Sequence, residues 1–485
     1  MKICFVASEV LPYAKTGGLA DVAGALTTEL TRLGHDVTIM MPRYRKIDKD
    51  KYKLKLLLGD ICVNVGTEAI RGDVYEAKHI DRKTRICFID CPVYFDRDNL
   101  YQDKDSKDYA DNAERFIFFN KIILEICKKL DWKPDIIHCN DWQTGLIPLY
   151  LKSTYANDKF FDGTKTLFTI HNLAYQGLFE KGVMEKIGLG WDYFTIDKLE
   201  FWGKVNFLKA GLIYADSLNT VSERYAKEIQ TEEYGAGLNG VLEGRKNSLH
   251  GIINGIDYKL FSPDKDQMIH KNYSIRTIEK KIDNKKYLLK TLGLRFKKNA
   301  PLFGIISRLA DQKGFDILSE IVDQFLQLNI QLVILGTGEP KYHKLLTELQ
   351  AKYPKNFQVL LKFDPVMAQM IYAGCDMFIM PSRYEPCGLG QLISLKYGTI
   401  PVVRETGGLA DTITDFDLAK DFENDKGNGF VFYEYESKEL YKTLIRAIDT
   451  YKDQQAWKKL MTNAMKCDYS WKASAVKYEH LYKSL

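Results

Sequence analysis

The sequence predicts an α/β protein of two domains, each a doubly wound parallel sheet, and three features carry that prediction. Short apolar runs bounded by Gly, Pro or Asn alternate with amphipathic helical stretches, the pattern of strands joined by crossover helices. The series halts between residues 250 and 300 and starts afresh after Pro301. The string Thr-Gly-Gly-Leu-Ala-Asp occurs once in each series, at 16–21 and at 406–411. A length of 485 residues lets two domains each bury a core without disulfide or metal staples.

The first series opens with the strand KICFVAS, continues with the helix GALTTELTRLG and the strand DVTIMMP, and later shows the strand-like runs DIIHCN, TLFTIHN, SLNTVS and GIING. The second comprises LFGIIS, a helix from Gly314 to Leu328, then QLVILG, NFQVLLKF, MFIMPS and TIPVVR. Between them, Lys280 to Lys298 is the densest basic stretch. Ile282, Leu288, Leu289 and Leu292 fall at helical spacing there, which predicts a helix whose lysines lie on a solvated face. The last 15 residues read as an amphipathic helix with Ala475, Tyr478, Leu481 and Tyr482 on one side. The domain ranges are therefore 1–250, 251–465 and a C-terminal helix at 466–485 that can pack back on the first domain.

Composition removes several function classes. Sixty-nine basic against 64 acidic residues leave a net charge of +5, and the basic residues mostly alternate with acids, so no nucleic-acid partner is expected. Nine cysteines form no CxxC pair, and Cys87 and Cys91 lack the His or Cys cluster of a zinc set. Reduced thiols, a cytoplasmic location and no metal are the expectation. The start has neither the basic flank nor the apolar length of a signal peptide, and no stretch approaches the ~20 apolar residues of a span, so no membrane association is expected. Oligomeric state is not encoded legibly.

Each copy of the repeated string follows a strand and opens a helix. There, unpaired N–H groups and the helix dipole favour anions, and paired glycines let a phosphate or sugar approach the main chain. Two turns that merely match are the alternative; equivalent placement in both series favours two sheets sharing one ligand cleft. Arg308 and Lys313 stand between the strand LFGII and the next helix, where a guanidinium fork and an ammonium can grip a diphosphate and neutralise it as it leaves. Glu385, Cys387, Gly388 and Leu389 follow the strand MFIM. A carboxylate there can bond sugar hydroxyls, face positive charge at an anomeric carbon, or simply cap a helix. His171 with Asn172, and Asp141 with Trp142, end two strands of the first series.

Other signatures fail. The run LGTGEPK has Lys341 where a dinucleotide fingerprint needs its third glycine, and no GxxxxGK[ST] loop occurs. The pairs Asp96 and Asp98, Asp103 and Asp105, and Asp415 and Asp417 lie in polar turns, which disfavours metal-dependent sugar transfer.

In this order, KTGGLADV, HCNDWQTGL, FTIHNLAYQG, FLKAGLIYAD, INGID, SRLADQKG, SRYEPCGLGQL and RETGGLAD resemble the bacterial-type glycogen synthases and the similar plant starch synthases. The resemblance implies the GT-B glycosyltransferase fold, two Rossmann-like domains facing across a deep cleft, with 1–250 on the acceptor side and 251–465 holding the nucleotide sugar. It implies glucose transfer from ADP-glucose to the non-reducing end of an α-1,4-glucan, with retention and without a metal or other cofactor. By the same resemblance Lys15, Gly17 and Gly18 line the diphosphate and acceptor side, and Arg308 and Lys313 clamp the ADP phosphates. Glu385 bonds the transferred glucose beside the Cys387 to Leu389 main chain, and Thr406 with Gly407 holds the distal phosphate. His171, assisted by Asn254, contacts the donor sugar, while Asp21 and Asp141 are sugar-side or loop-fixing. Phe363 replaces a usual tyrosine and keeps a ring to stack on adenine.

A second glutamate eight positions after the first, common in sucrose-type relatives, is Ile393 here, which favours the glycogen-synthase branch. The implied mechanism lets the leaving ADP oxygen help deprotonate the acceptor on the same face, with domain closure excluding water. Two alternatives remain at this level: a UDP-sugar-dependent retaining transferase acting on a small acceptor, and a non-catalytic glucan-binding protein.

Overall fold

The computed structural model describes residues 1–105, 107–417 and 426–485. They form two compact units: Met1–Val221 with Ala226–Ile252 and Trp471–Leu485, and Ser222–Tyr225 with Ile253–Ser470. These junctions differ by a few residues from 1–250, 251–465 and 466–485. Ser222–Tyr225 departs outright, because the Ser222 hydroxyl donates to the Pro386 carbonyl at 2.7 Å, a long-range contact that no local pattern announces.

In the first unit the strands are β1 (Lys2–Val6), β2 (Asp36–Pro42), β3 (Lys55–Val65), β4 (Glu68–Lys78), β5 (Arg85–Asp90), β6 (Ile136–Asn140), β7 (Lys165–Ile170), β8 (Leu178–Glu180), β9 (Glu200–Phe201), β10 (Lys204–Asn206), β11 (Ser217–Thr220) and β12 (Leu249–Gly251). Nine form one sheet in the order β12-β11-β7-β6-β1-β2-β5-β4-β3, and β8-β10-β9 form a small separate one. From β12 to β5 the pairing is parallel. Strands such as β6 are buried along their whole length, as expected where helices cover both faces. The purely parallel expectation fails at one edge, where β5, β4 and β3 pair antiparallel. The last residues of β3 alternate buried and exposed, and Gly66, at φ +62°, opens the two-residue turn to β4, so the hairpin carried a local signal.

The second unit has β13 (Leu302–Ile306), β14 (Gln331–Leu335), β15 (Phe357–Leu360), β16 (Met377–Met380), β17 (Ile400–Arg404) and β18 (Phe430–Phe432), all parallel in the order β15-β14-β13-β16-β17-β18. In both sheets the chain winds first one way and then the other. The reversal falls between β1 and β6 in the first and between β13 and β16 in the second, the position where α/β sheets bind ligands beyond their strand ends.

The helix Lys281–Thr291 corrects the solvated-face reading of the basic stretch. Leu288 and Leu289 are buried as expected, but so are Lys281 and Lys285, while Ile282 is exposed. The Lys281 ammonium donates to the carbonyls of Tyr372 and Ala373 and to the Thr399 hydroxyl. It thereby satisfies acceptors at the end of the helix Pro365–Gly374. Lys285 pairs with Asp376 at 2.6 Å. The terminal helix Trp471–Lys483 buries Ala475, Tyr478, Leu481 and Tyr482. Its Tyr482 hydroxyl meets His138 Nδ1 at 2.7 Å, and Asn219 Nδ2 donates to the Tyr478 hydroxyl at 3.0 Å. Among the described residues no helix is long and apolar enough to cross a membrane, and no group of three His, Cys, Asp or Glu could hold a metal ion.

Candidate active site

In the second unit, the loops after β13 and β16 carry the chemistry to the point of reversal. Glu385 is 6% exposed, and its Oε2 accepts from the Lys313 ammonium at 2.6 Å and from the Ser382 hydroxyl at 3.0 Å. Burial at this spot requires such partners, since an unpaired carboxylate would be costly to desolvate. The pair opens on a pocket whose lining includes Ser307, Tyr372, Gly388 and Leu389. The N–H groups of Gly388 and Leu389 have no hydrogen-bond partner among the described residues. A carboxylate, an ammonium and open N–H groups thus converge on one cavity, able to accept from hydroxyls and donate to an anion.

The glycines of the second repeat serve packing. A Cβ on Gly407, whose φ is +45°, would stand 2.0 Å from the Glu385 carbonyl oxygen, and one on Gly408 would stand 2.0 Å from that of Cys387. Gly408 N–H donates to the Glu385 carbonyl at 3.0 Å. Thr406 and Gly407 therefore lie under the Glu385 loop, and Thr406 is buried. Cys387 is also buried, with its thiol pushed up to about 12 by burial and bonded by the Asn254 main chain; it is no nucleophile. The Asn254 side-chain oxygen is buried without a partner among the described residues, an acceptor held ready. Arg308 is not drawn to the Lys313–Glu385 pair. It is exposed and donates to Gln312 Oε1 at 3.0 Å. Phe363 lies beyond the edge strand β15 and is 87% exposed. Ile393 packs in a buried cluster with Tyr372, Phe378 and Tyr397, which closes that position to a ligand. Arg383 pairs with Asp316 at 2.8 Å.

The first unit gathers a second cluster at its own reversal. Glu9, 4% exposed, organises the first repeat. Its carboxylate accepts from Thr16 N–H at 2.5 Å, from the Thr16 hydroxyl, from Gly17 N–H at 3.0 Å and from the Tyr101 hydroxyl at 2.8 Å. Lys15 is half-exposed and pairs with Asp21 at 2.8 Å. A Cβ on Gly17 or Gly18 would meet nothing within 4 Å. Only the second copy needs glycine to fit its own chain; the first faces open space.

Asp141 holds a φ of +57°, uncommon for a side chain with a Cβ. Its carboxyl accepts from His171 N–H at 2.7 Å and from Asn172 N–H, and burial pushes its pKa up to about 7. Of its two expected roles it fills the loop-fixing one. Asn172 folds its own oxygen back to Ala174 N–H at 3.1 Å. His171 Nε2 lies 2.9 Å from Asn140 Oδ1. Because the Asn140 amide nitrogen donates to the Val6 carbonyl, its oxygen accepts, which puts the imidazole proton on Nε2 and leaves Nδ1 an acceptor. Burial pushes the His171 pKa down to about 3, so the ring is neutral at physiological pH. Sequence reasoning missed Glu9, Asn140, Tyr101 and Ser382; only Glu9, a charge inside an apolar run, left a visible trace.

Residues 2–244 match the model of the starch synthase catalytic domain, and residues 293–463 that of the group 1 glycosyl transferases. Glycogen synthase of Geotalea uraniireducens is 48% identical over 493 residues, spanning 100% of this chain and 98% of that protein. Glycogen synthase of Desulforudis audaxviator is 47% identical over 494 residues, spanning 100% and 96%. Among solved structures, the catalytic domain of starch synthase IV from Arabidopsis thaliana, bound to ADP and acarbose, superimposes with a TM-score of 0.89 at 32% identity, covering 99% of this chain and 98% of that one.

Proposed function

This chain belongs to the glycogen and starch synthase family of GT-B glycosyltransferases, which act on a nucleotide-sugar donor and a glucan acceptor, and we propose that its donor is ADP-glucose and its product an α-1,4-glucan lengthened at the non-reducing end with retention. It is a glycosyltransferase that makes glycogen by glucosyl transfer. Support for the adenine nucleotide comes from the Arabidopsis relative bound to ADP.

The observation that carries the mechanism is the buried Glu385–Lys313 pair at the reversal of the second sheet. An arriving diphosphate competes with Glu385 for the Lys313 ammonium. The open N–H groups of Gly388 and Leu389 and the exposed guanidinium of Arg308 add donors for it, so main-chain donors and side-chain cations can supply the positive charge. Released from Lys313, the Glu385 carboxylate accepts from glucose hydroxyls or faces positive charge developing at the anomeric carbon. The leaving oxygen takes the proton of the acceptor hydroxyl as the new glycosidic bond forms on the same face, without a covalent enzyme intermediate. In the first unit, the neutral His171 ring offers a sugar hydroxyl an acceptor at Nδ1, and the bare main chain at Gly17 and Gly18 admits a sugar or phosphate at close range.

ADP release from ADP-glucose with and without glycogen tests donor and acceptor together; glycogen-dependent release is expected, and preferential use of UDP-glucose would overturn the donor assignment. Glu385→Ala lowers kcat far more than it raises KM, because its role is realised at the transition state. Near-normal turnover with only a KM effect would contradict that role.

A further inference from the structure

A cavity of the first unit, away from the chemistry described so far, collects charge that the reaction does not use. Its lining includes Thr31, His35, Asp36, Lys78, Lys83 and Arg85. Asp36 opens β2 and Arg85 opens β5, so the cavity lies at the amino-terminal edge of the parallel strands, opposite the edge that carries Glu9 and Asp141.

Three cations meet there without an ion-pair partner among the described residues. Arg85 is fixed in advance: its Nε donates to the Thr38 hydroxyl at 3.0 Å, and its guanidinium lies 5.3 Å from the ring centre of the buried Trp132. That indole is itself held by its N–H, which donates to Asp36 at 3.1 Å. The Arg85 terminal nitrogens have no hydrogen-bond partner among the described residues. Lys78 reaches only the Lys83 carbonyl, at 3.5 Å. Against these charges the lining offers one carboxylate, Asp36. His35 lies 3.2 Å from Glu479, and burial lowers its pKa. Elsewhere on this unit some surface cations are paired, as Arg45 is with Asp96 and Asp98 and Lys128 is with Asp158.

We propose that this cavity binds a phosphate dianion, free or as the monoester of a sugar. A planar guanidinium fork and two ammonium groups match a compact group with several acceptor oxygens and two charges. A nucleic acid would instead need a basic stripe along the surface.

The test is isothermal titration of the full chain at fixed ionic strength, with inorganic phosphate in one arm and glucose 6-phosphate in the other. One saturable site is expected, weakened about tenfold or more by Arg85→Ala and by Lys83→Ala, the scale for losing a charge-assisted hydrogen bond. Lys313→Ala leaves that binding in place, and glucosyl transfer without added phosphate is unchanged in both cavity variants. Lys83 is exposed, so its variant reports even where Arg85→Ala fails to fold. Equal affinity in the two arms identifies the phosphate group itself as the ligand, and a tighter ester identifies a phosphorylated sugar; both support the proposal. No saturable binding in either arm, binding that survives both cavity variants, or binding lost with Lys313→Ala overturns it.

Discussion

Replacing Lys313 by Met separates what the Glu385–Lys313 pair does for stability from what it does for transfer. At 2.6 Å and an effective dielectric of about 20, the attraction is ~6 kcal/mol before desolvation. Removing one member of a buried pair costs about 3–5 kcal/mol, because the other charge is stranded. The lower end applies here, since the Lys313 side chain is 20% exposed and Ser382 still donates to the carboxylate. About 3 kcal/mol lowers Tm by roughly 6–12 °C in a domain of this size. Adding Glu385→Gln removes the stranded charge, so the double variant returns to within ~1 kcal/mol of the parent. Its glucosyl transfer nevertheless stays at least ~10²-fold down, the scale for losing one electrostatic stabiliser. The assay is equilibrium denaturation of parent, single variants and double variant as a double-mutant cycle, with transfer rates on the same samples. A double variant as unstable as Lys313→Met refutes the stranded-charge account, and one that recovers transfer refutes the catalytic account.

The two glycine repeats predict opposite phenotypes. Gly407→Ala forces a Cβ to 2.0 Å from a carbonyl oxygen at φ +45° and is expected to cost about 2 kcal/mol or more in denaturant titrations. Gly18→Ala meets open space, so stability changes by less than ~1 kcal/mol while transfer falls; an unaltered rate would show that nothing approaches that main chain closely. Glu9→Gln turns an amide toward the Thr16 and Gly17 N–H donors and is expected to lower both kcat/KM and stability, the latter by about 1–3 kcal/mol. Lys15→Ala lowers kcat/KM alone, because that ammonium is half-exposed; a Glu9→Gln enzyme with parental rates would contradict the anchoring role.

Much of the second unit's site was legible because its residues are local in sequence. Arg308 and Lys313 follow one strand, and Glu385 to Leu389 follow another. Apolar runs ending in polar loops announce themselves. What could not be read was which polar group turns inward. Glu9, a charge inside an apolar run, is the peg around which the first repeat folds. Lys281 and Lys285 looked like a wet face, yet their long stems carry ammonium groups to buried acceptors. Asp141 reads as either sugar-side or loop-fixing, and its carboxyl serves the main chain that follows the neighbouring strand. The partners of Lys281, Lys285 and Asp141 are distant in sequence, which periodicity does not encode.

The terminal helix imposes an order on biosynthesis. His138 and Asn219, both wholly buried, find their tyrosine partners 344 and 259 residues downstream. A nascent chain that has already produced the whole first sheet still lacks the wedge that quenches those polar groups. Vectorial folding of that lobe therefore stalls short of completion until translation has passed through the entire second lobe, and a chain cut before Tyr478 is left with a wet seam in its oldest part.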